Sequence, residues 1–197
     1  YFASRLLTPV HRSRAARLYA FCRYVDDIAD ETLDRDHAAA ELDEIKAAIR
    51  AGHSHEPCLV NMLSLMKEAS IPQEPVMALI DGVRSDVRLT SVKSQAELLR
   101  YAYQVAGTVG LMMSMLLDVH ERDAWPFAID LGIAMQLTNI ARDVGEDAQK
   151  GRIYLPKTWV GALEPCDVIT PSDVAAAQLR NGTRQVLALA QKYYDSG

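Results

Sequence analysis

The stretch RYVDDIADE gathers Asp26, Asp27, Asp30 and Glu31 at the end of a segment with helical periodicity. Asp26 and Asp30 are four residues apart, which on a helix sets them ~40° apart around the axis and ~6 Å apart along it. Two carboxylates so placed repel by roughly 0.2–0.5 kcal/mol when solvated. Near a helix C-terminus each also opposes the helix dipole, by roughly 0.3–1 kcal/mol. A cation held between them would cancel both costs. Taken alone, the pair fits a solvated, fraying helix end equally well.

A second acidic set shifts the balance. In QLTNIARDVGEDAQKGRIYLP, Asn139, Asp143 and Asp147 recur at i, i+4 and i+8, with Glu146 on the adjacent flank. The apolar run FAIDLGIAMQLTNI leads into them, so this helix reads as largely buried, and a buried carboxylate without a partner is expensive. An all-oxygen donor set without His or Cys is hard-cation chemistry. Mg²⁺ typically takes one or two protein carboxylates and completes its shell with water and phosphate oxygens. Two such helix faces opposed across a cavity would trap a diphosphate through bridging metals. Arg23 and Tyr19 lie one and two turns before Asp26. Arg142 adjoins Asp143, and KGRIYLP adds Lys150, Arg152 and Tyr154. A diphosphate needs such donors; surface ion pairing is the competing explanation for each.

The elements that position these residues are helical. Thr8-Pro9 opens a helix to about Glu31, with Thr as cap and Pro at the first position. Further helices are predicted over 36–51 (closed by Gly52), 57–69 and 72–84. The capping box Ser94-Gln95-Ala96-Glu97 opens another through about Leu117. Trp125 to Asp147 reads as one long helix, and Thr170-Pro171 starts the last. The stretches 31–36, 52–56, 85–93, 120–124 and 148–170 read as loops. No alternating run bounded by hairpin dipeptides is present. The expected architecture is all-α: a single-domain bundle of about seven or eight antiparallel helices. Gly107 and Gly110 are read as sites of close helix packing, or as room for a ligand. Asp118, Glu121 and Asp123 are read as a capping cluster, and Trp125 and Phe127 as core.

Bulk properties narrow the function. The 197 residues are 49% hydrophobic, the composition of a folded domain. A net charge of -5 argues against a nucleic-acid surface, which needs a basic stripe, but not against a polyanion held through cations. Cys22, Cys58 and Cys166 are too few and scattered for a disulfide framework or zinc site, and read as reduced core residues of a cytoplasmic protein. The longest apolar run, 105–117, is too short for a membrane span.

LYAFCRYVDDIADE, YQVAGTVGLMM and AMQLTNIARDVGEDAQKGRIYLP together resemble the squalene/phytoene synthase family, the head-to-head prenyl synthases, and most of all its bacterial phytoene synthases. The third motif is a specific match over more than twenty residues, and the three stand in the family's order across almost the whole chain. The resemblance implies an isoprenoid synthase fold, one all-α domain around a central apolar channel. It implies condensation of two geranylgeranyl diphosphates to a cyclopropylcarbinyl diphosphate, which ionises again and rearranges to phytoene with loss of a proton. Residue by residue, Asp26 and Asp30 match the first metal-binding motif, and Asn139, Asp143 and Asp147 the second. Tyr19, Arg23, Arg142 and Arg152 match positions around the diphosphates, and Tyr103 and Gln136 match cavity positions near the reacting carbons. The implied cofactor is Mg²⁺, with Mn²⁺ as its substitute. No Gly-rich dinucleotide loop is present, so NADPH is not expected. A squalene or dehydrosqualene synthase acting on farnesyl diphosphate is the alternative within the family, and a non-catalytic relative the alternative outside enzymes. The family pattern also carries a Ser-Phe pair before Tyr1 and further helices after Gly197, so residues 1–197 read as a partial domain trimmed at both ends. The apolar product implies work at a membrane surface, by peripheral contact. Oligomeric state stays open.

Overall fold

A computed structural model describes residues 7–88 and 91–197. Thr8 caps α1 (Pro9–Glu31), its hydroxyl accepting from His11 N–H at 3.3 Å. Leu18, Phe21, Val25, Ile28 and Ala29 form its buried stripe, spaced at three and four. Gly52, at φ 72°, ends α2 (Arg35–Ala51) by donating to Ala48 and Ile49 carbonyls. Then come α3 (Pro57–Glu68) and α4 (Gln73–Asp86). Ion pairs Lys46–Asp81 and Arg84–Asp43 tie α2 to α4.

The predicted helix over 94–117 is three segments. α5 (Gln95–Ala102) passes through one wide π turn (Tyr103–Gly107) into α6 (Thr108–Leu116). The helix predicted over 125–147 breaks at Asp143 into α7 (Trp125–Arg142) and α8 (Val144–Gln149). The stripe survives the break, because Asp143 N–H still bonds Asn139 O at 2.8 Å and Asp147 N–H bonds Asp143 O at 2.9 Å. The 148–170 stretch holds two short helices, α9 (Lys157–Val160) and α10 (Pro165–Ile169). The last helix, α11 (Asp173–Ser196), is capped by Ser172, two residues later than the Thr170-Pro171 start. The loop expected over 85–93 includes residues 89 and 90, outside the described residues.

Asp118 does not cap a helix; it pairs with His11 at 2.9 Å and Arg14 at 2.8 Å. Phe127, read as core, is 55% exposed. Cys166, read as core, is also exposed.

Two hydrophobic cores result. One joins α1–α4 with Met112, Met115 and Leu116 of α6. The other joins α5 and α7 to the chain from α8 to α11. Val105, in the π turn, packs against both. Among the described residues there is no strand, only an isolated parallel bridge between Ser91 and Ile153. No described helix is long and apolar enough to cross a membrane.

Candidate active site between the two cores

A polar cavity of about 410 Å³ opens where the cores meet, and both acidic sets line it. Asp26 and Asp30 come from α1, Gln136 and Asn139 from α7, and Asp143 and Asp147 from the break and α8. Arg23, Lys150, Arg152 and Tyr154 share the wall. The two carboxylate pairs thus line one concavity.

The segment after Lys150 reads in sequence as a loop, yet residues 152–156 are buried and extended. Gly151, at φ 78°, turns the chain out of α8. This left-handed geometry suits glycine, which has no Cβ to clash. The following strand-like stretch is held by Val92 N–H donating to Ile153 O at 3.1 Å and Lys157 N–H to Val92 O at 2.9 Å. Alternation along an extended chain puts Arg152 and Tyr154 on one side, and both line the cavity.

Basic side chains hold several of the acids. Asp30 accepts from Lys150 at 2.9 Å and Arg152 at 2.8 Å, linking α1 to the far side. Burial pushes its pKa up, but these two donors prevail and hold it below the usual range. Arg142 grips Asp143 through two bonds of 2.6 Å, which lower its pKa. Arg23 pairs with Asp27 at 2.5 Å. By contrast, neither Asp26 nor Asp147 has a hydrogen bond or ion pair to its side chain among the described residues. Asp26 has surface open to solvent, but the concavity still desolvates it; that and Asp30 push its pKa up to about 6. Desolvation and Asp143 do the same to Asp147.

This arrangement fits a metal–diphosphate. The donors are all oxygen, as a hard cation prefers. Two carboxylates on facing elements, Asp26 and Asp147, feel nearby cations only through space and have no cation bonded to them. Arg152 is buried with its Nε unsatisfied, a donor aimed at no protein acceptor. Among the described residues no three carboxylate, imidazole or thiol groups are gathered closely enough to hold an ion alone. Phosphate oxygens and water would complete the shell, the usual Mg²⁺ pattern.

Three sequence-predicted residues stand off the wall. Tyr19 is 67% exposed, Arg142 is exposed beside Asp143, and Tyr103 is 37% exposed; none lines the polar cavity. The cavity-facing tyrosine of that stretch is Tyr101, two residues earlier. Residues two apart lie on different helix faces, whereas Tyr101 and Val105, at i and i+4, share one. Sequence reasoning also misses Asp86, buried in the last turn of α4 and accepting from Tyr101 and Tyr154. Its signal is a carboxylate following Leu79 and Val83 on an apolar stripe.

A second cavity, about 560 Å³ and apolar, lies between α6 and α7. Val105, Gln136 and Asn139 line both cavities, so the two adjoin. Met113 and Met135 are on its wall, while Met112 and Met115 are core.

An all-α fold with two helix-borne carboxylate pairs over a polar cavity, beside an apolar one, defines the isoprenoid synthase class. Within it, the chain belongs to the squalene/phytoene synthase family, whose profile matches residues 1–197. It is 34% identical over 204 residues to a phytoene synthase from Cereibacter sphaeroides, covering 98% of this chain and 58% of that protein. It is 37% identical over 161 residues to a presqualene diphosphate synthase from Sinorhizobium fredii, covering 80% and 57%. A crystal structure of a dehydrosqualene synthase in complex with ligand superposes with a TM-score of 0.75 at 29% identity, covering 99% of this chain and 70% of that one. The chain therefore spans under three-fifths of the length of the two curated relatives.

Proposed function

We propose that the chain carries the catalytic centre of a head-to-head prenyltransferase that condenses two geranylgeranyl diphosphates to phytoene through a cyclopropylcarbinyl diphosphate. The observation that carries this is the placing of Asp26/Asp30 and Asp143/Asp147 on one polar cavity that adjoins an apolar one. Asp26, Asp30, Asn139, Asp143 and Asp147 would hold the metal. Bound Mg²⁺ supplies charge neutralisation as diphosphate departs. Arg152 offers its free Nε, and Arg23 and Lys150 their charge, where negative charge develops on the leaving group. Arg142 would have to release Asp143 to reach a diphosphate. The prenyl chains lie in the apolar cavity, which excludes water from a carbocation. Gln136, at the junction, stands between head group and tail.

Similarity to a presqualene diphosphate synthase supports a second reading, in which farnesyl diphosphate is the substrate. Both readings share the cyclopropyl stage. Incubating the full chain with each prenyl diphosphate, with and without NADPH, and identifying the hydrocarbon separates them. Phytoene from the C20 substrate without NADPH is expected; full turnover in EDTA would sink the metal role. The apolar product gives the enzyme, in the cytoplasm, reason to touch lipid peripherally, which co-sedimentation with vesicles tests.

A further inference from the structure

The apolar cavity runs along two antiparallel helices. On one side its lining goes from Val105 in the π turn to Leu117, on the other from Asn139 back to Ala128. At ~1.5 Å of rise per residue each wall is roughly 17 Å long. A turn of the chain closes the far end. Asp118 takes the left-handed conformation, at φ 62°, which aspartate tolerates better than most side chains do. Its N–H donates to Met115 O at 3.1 Å, and the Val119 N–H to Ser114 O at 3.0 Å. These are the two bonds of a Schellman cap, and they fold Val119 back over the end of α6. Further contacts fix the turn. His11 and Arg14 of α1 hold the Asp118 carboxylate, and Trp125 Nε1 donates to Val119 O at 3.1 Å. Behind Val119 lies a third cavity of about 510 Å³, walled in part by Ala69, Pro72, Met115 and Trp125. Among the described residues Val119 alone lines both this cavity and the apolar one.

We propose that Val119 is a specificity-determining residue: it stops the prenyl chain at the far end of the apolar cavity and so sets the longest chain accepted. The proposal rests on the prenyl-transfer reading of the two adjoining cavities. With its diphosphate in the polar cavity, a prenyl chain enters the apolar one beside Val105, Gln136 and Asn139. Three bonds of an extended trans chain span ~3.8 Å, so a C15 tail reaches ~14 Å, a C20 tail ~19 Å and a C25 tail ~24 Å. The C20 tail fills the walls as far as Leu117 and meets Val119. The C15 tail ends short of it, and the C25 tail has to pass it. The room that a C25 tail needs lies behind Val119, against Met115 and Trp125. Hydrogen bonds on both sides pin the Val119 backbone, so the size of its side chain decides where the cavity ends.

Val119→Ala and Val119→Leu move the stop in opposite directions. The probes are C15, C20 and C25 prenyl thiolodiphosphates, whose carbon–sulfur bond resists cleavage. Binding of each to the full chain is measured by calorimetry with Mg²⁺ present. Val119→Ala opens the way into the third cavity. It is expected to tighten C25 binding by about tenfold or more relative to C15, because an isoprene unit gains hydrophobic stabilisation only once it is buried. Val119→Leu crowds the end of the cavity and is expected to weaken C20 binding by about tenfold relative to C15. A structural role alone would move all three lengths together, and that result overturns the proposal. Wild-type protein that binds C25 as tightly as C20 overturns it too. If Val119→Ala does not fold, Val119→Leu carries the test by itself. Failure of the wild type to bind any of the three probes sinks the prenyl-transfer reading and this proposal with it. Binding of C15 and C20 with no length-dependent change in the variants sinks the role of Val119 alone.

Discussion

Asp147 occupies a position that costs the fold something: a partly desolvated carboxylate, without a hydrogen bond, near Asp143. Asp147→Asn removes the repulsion and keeps the shape. The metal-free variant is expected to melt at or slightly above the wild-type temperature, by a gain of a few tenths of a kcal/mol. It should lose Mg²⁺-dependent diphosphate release, measured by phosphate assay. A destabilised variant would mean that Asp147 has a structural partner. The same chemistry sets a pH dependence. Asp26, Asp86 and Asp147 are pushed up to about 6 in the folded chain, above the roughly 4 of an unfolded carboxylate. Across that window the native state binds more protons than the unfolded state, so stability falls as pH rises and then levels off. Thermal melts of metal-free protein should therefore give a higher Tm near pH 5 than near pH 7.5; a Tm that climbs with pH would contradict the raised values. The helix-borne acids are legible in sequence because i, i+4 spacing fixes a face wherever a helix forms. Asp86 is not, because its phenol partners lie 15 and 68 residues away along the chain, and no local period encodes such a pairing.

At the scale of elements, the sequence leaves open whether the glycines of YQVAGTVG leave room for a ligand or let helices approach. The geometry favours approach. A Cβ on Gly110 would stand 2.1 Å from Ala128 O, and one on Gly132 would stand 2.4 Å from Ala106 O. α6 and α7 therefore touch backbone to backbone, and the apolar cavity opens beside that contact. Gly110→Ala must push the helices apart, and should destabilise the protein by about 1–3 kcal/mol in denaturant unfolding. Gly145→Ala is the contrast, since nothing lies within 4 Å of its added Cβ. In the helical α8 it should be neutral or stabilising by up to ~1 kcal/mol. Equal losses in the two variants would refute the close-approach account. Helix starts marked by Thr8-Pro9 and Ser94 are readable because capping is local chemistry. The π turn at 103–107, the break at Asp143 and the extended run 152–156 are not. Each is set by what packs against it: α4 against the π turn, Arg142 on Asp143, and residues 91–93 along 152–156.

Across the whole molecule, the polar cavity is a seam. Asp30 belongs to the side of the first core, Lys150 and Arg152 to the side of the second, and their ion pairs bridge the cavity between. Of the two, the Lys150–Asp30 pair is exposed and of a kind typically worth below about 1 kcal/mol, whereas Arg152 is buried in its pair. A metal–diphosphate would touch Asp26 and Asp30 on one side and Asn139, Asp143 and Asp147 on the other, and would close the seam. Mg²⁺ alone has no three-carboxylate nest to enter, and diphosphate alone meets five acids. Neither by itself should raise Tm much. Together they should stabilise the native state by about 2.7 kcal/mol at a hundredfold excess over Kd. Differential scanning fluorimetry with each component singly and both combined reads this directly. Additive shifts would show two independent sites rather than one shared by both cores. With synergy, Arg152→Leu, which removes the free Nε and one bridging pair together, should lose most of the combined shift while Mg²⁺ alone behaves as in wild type.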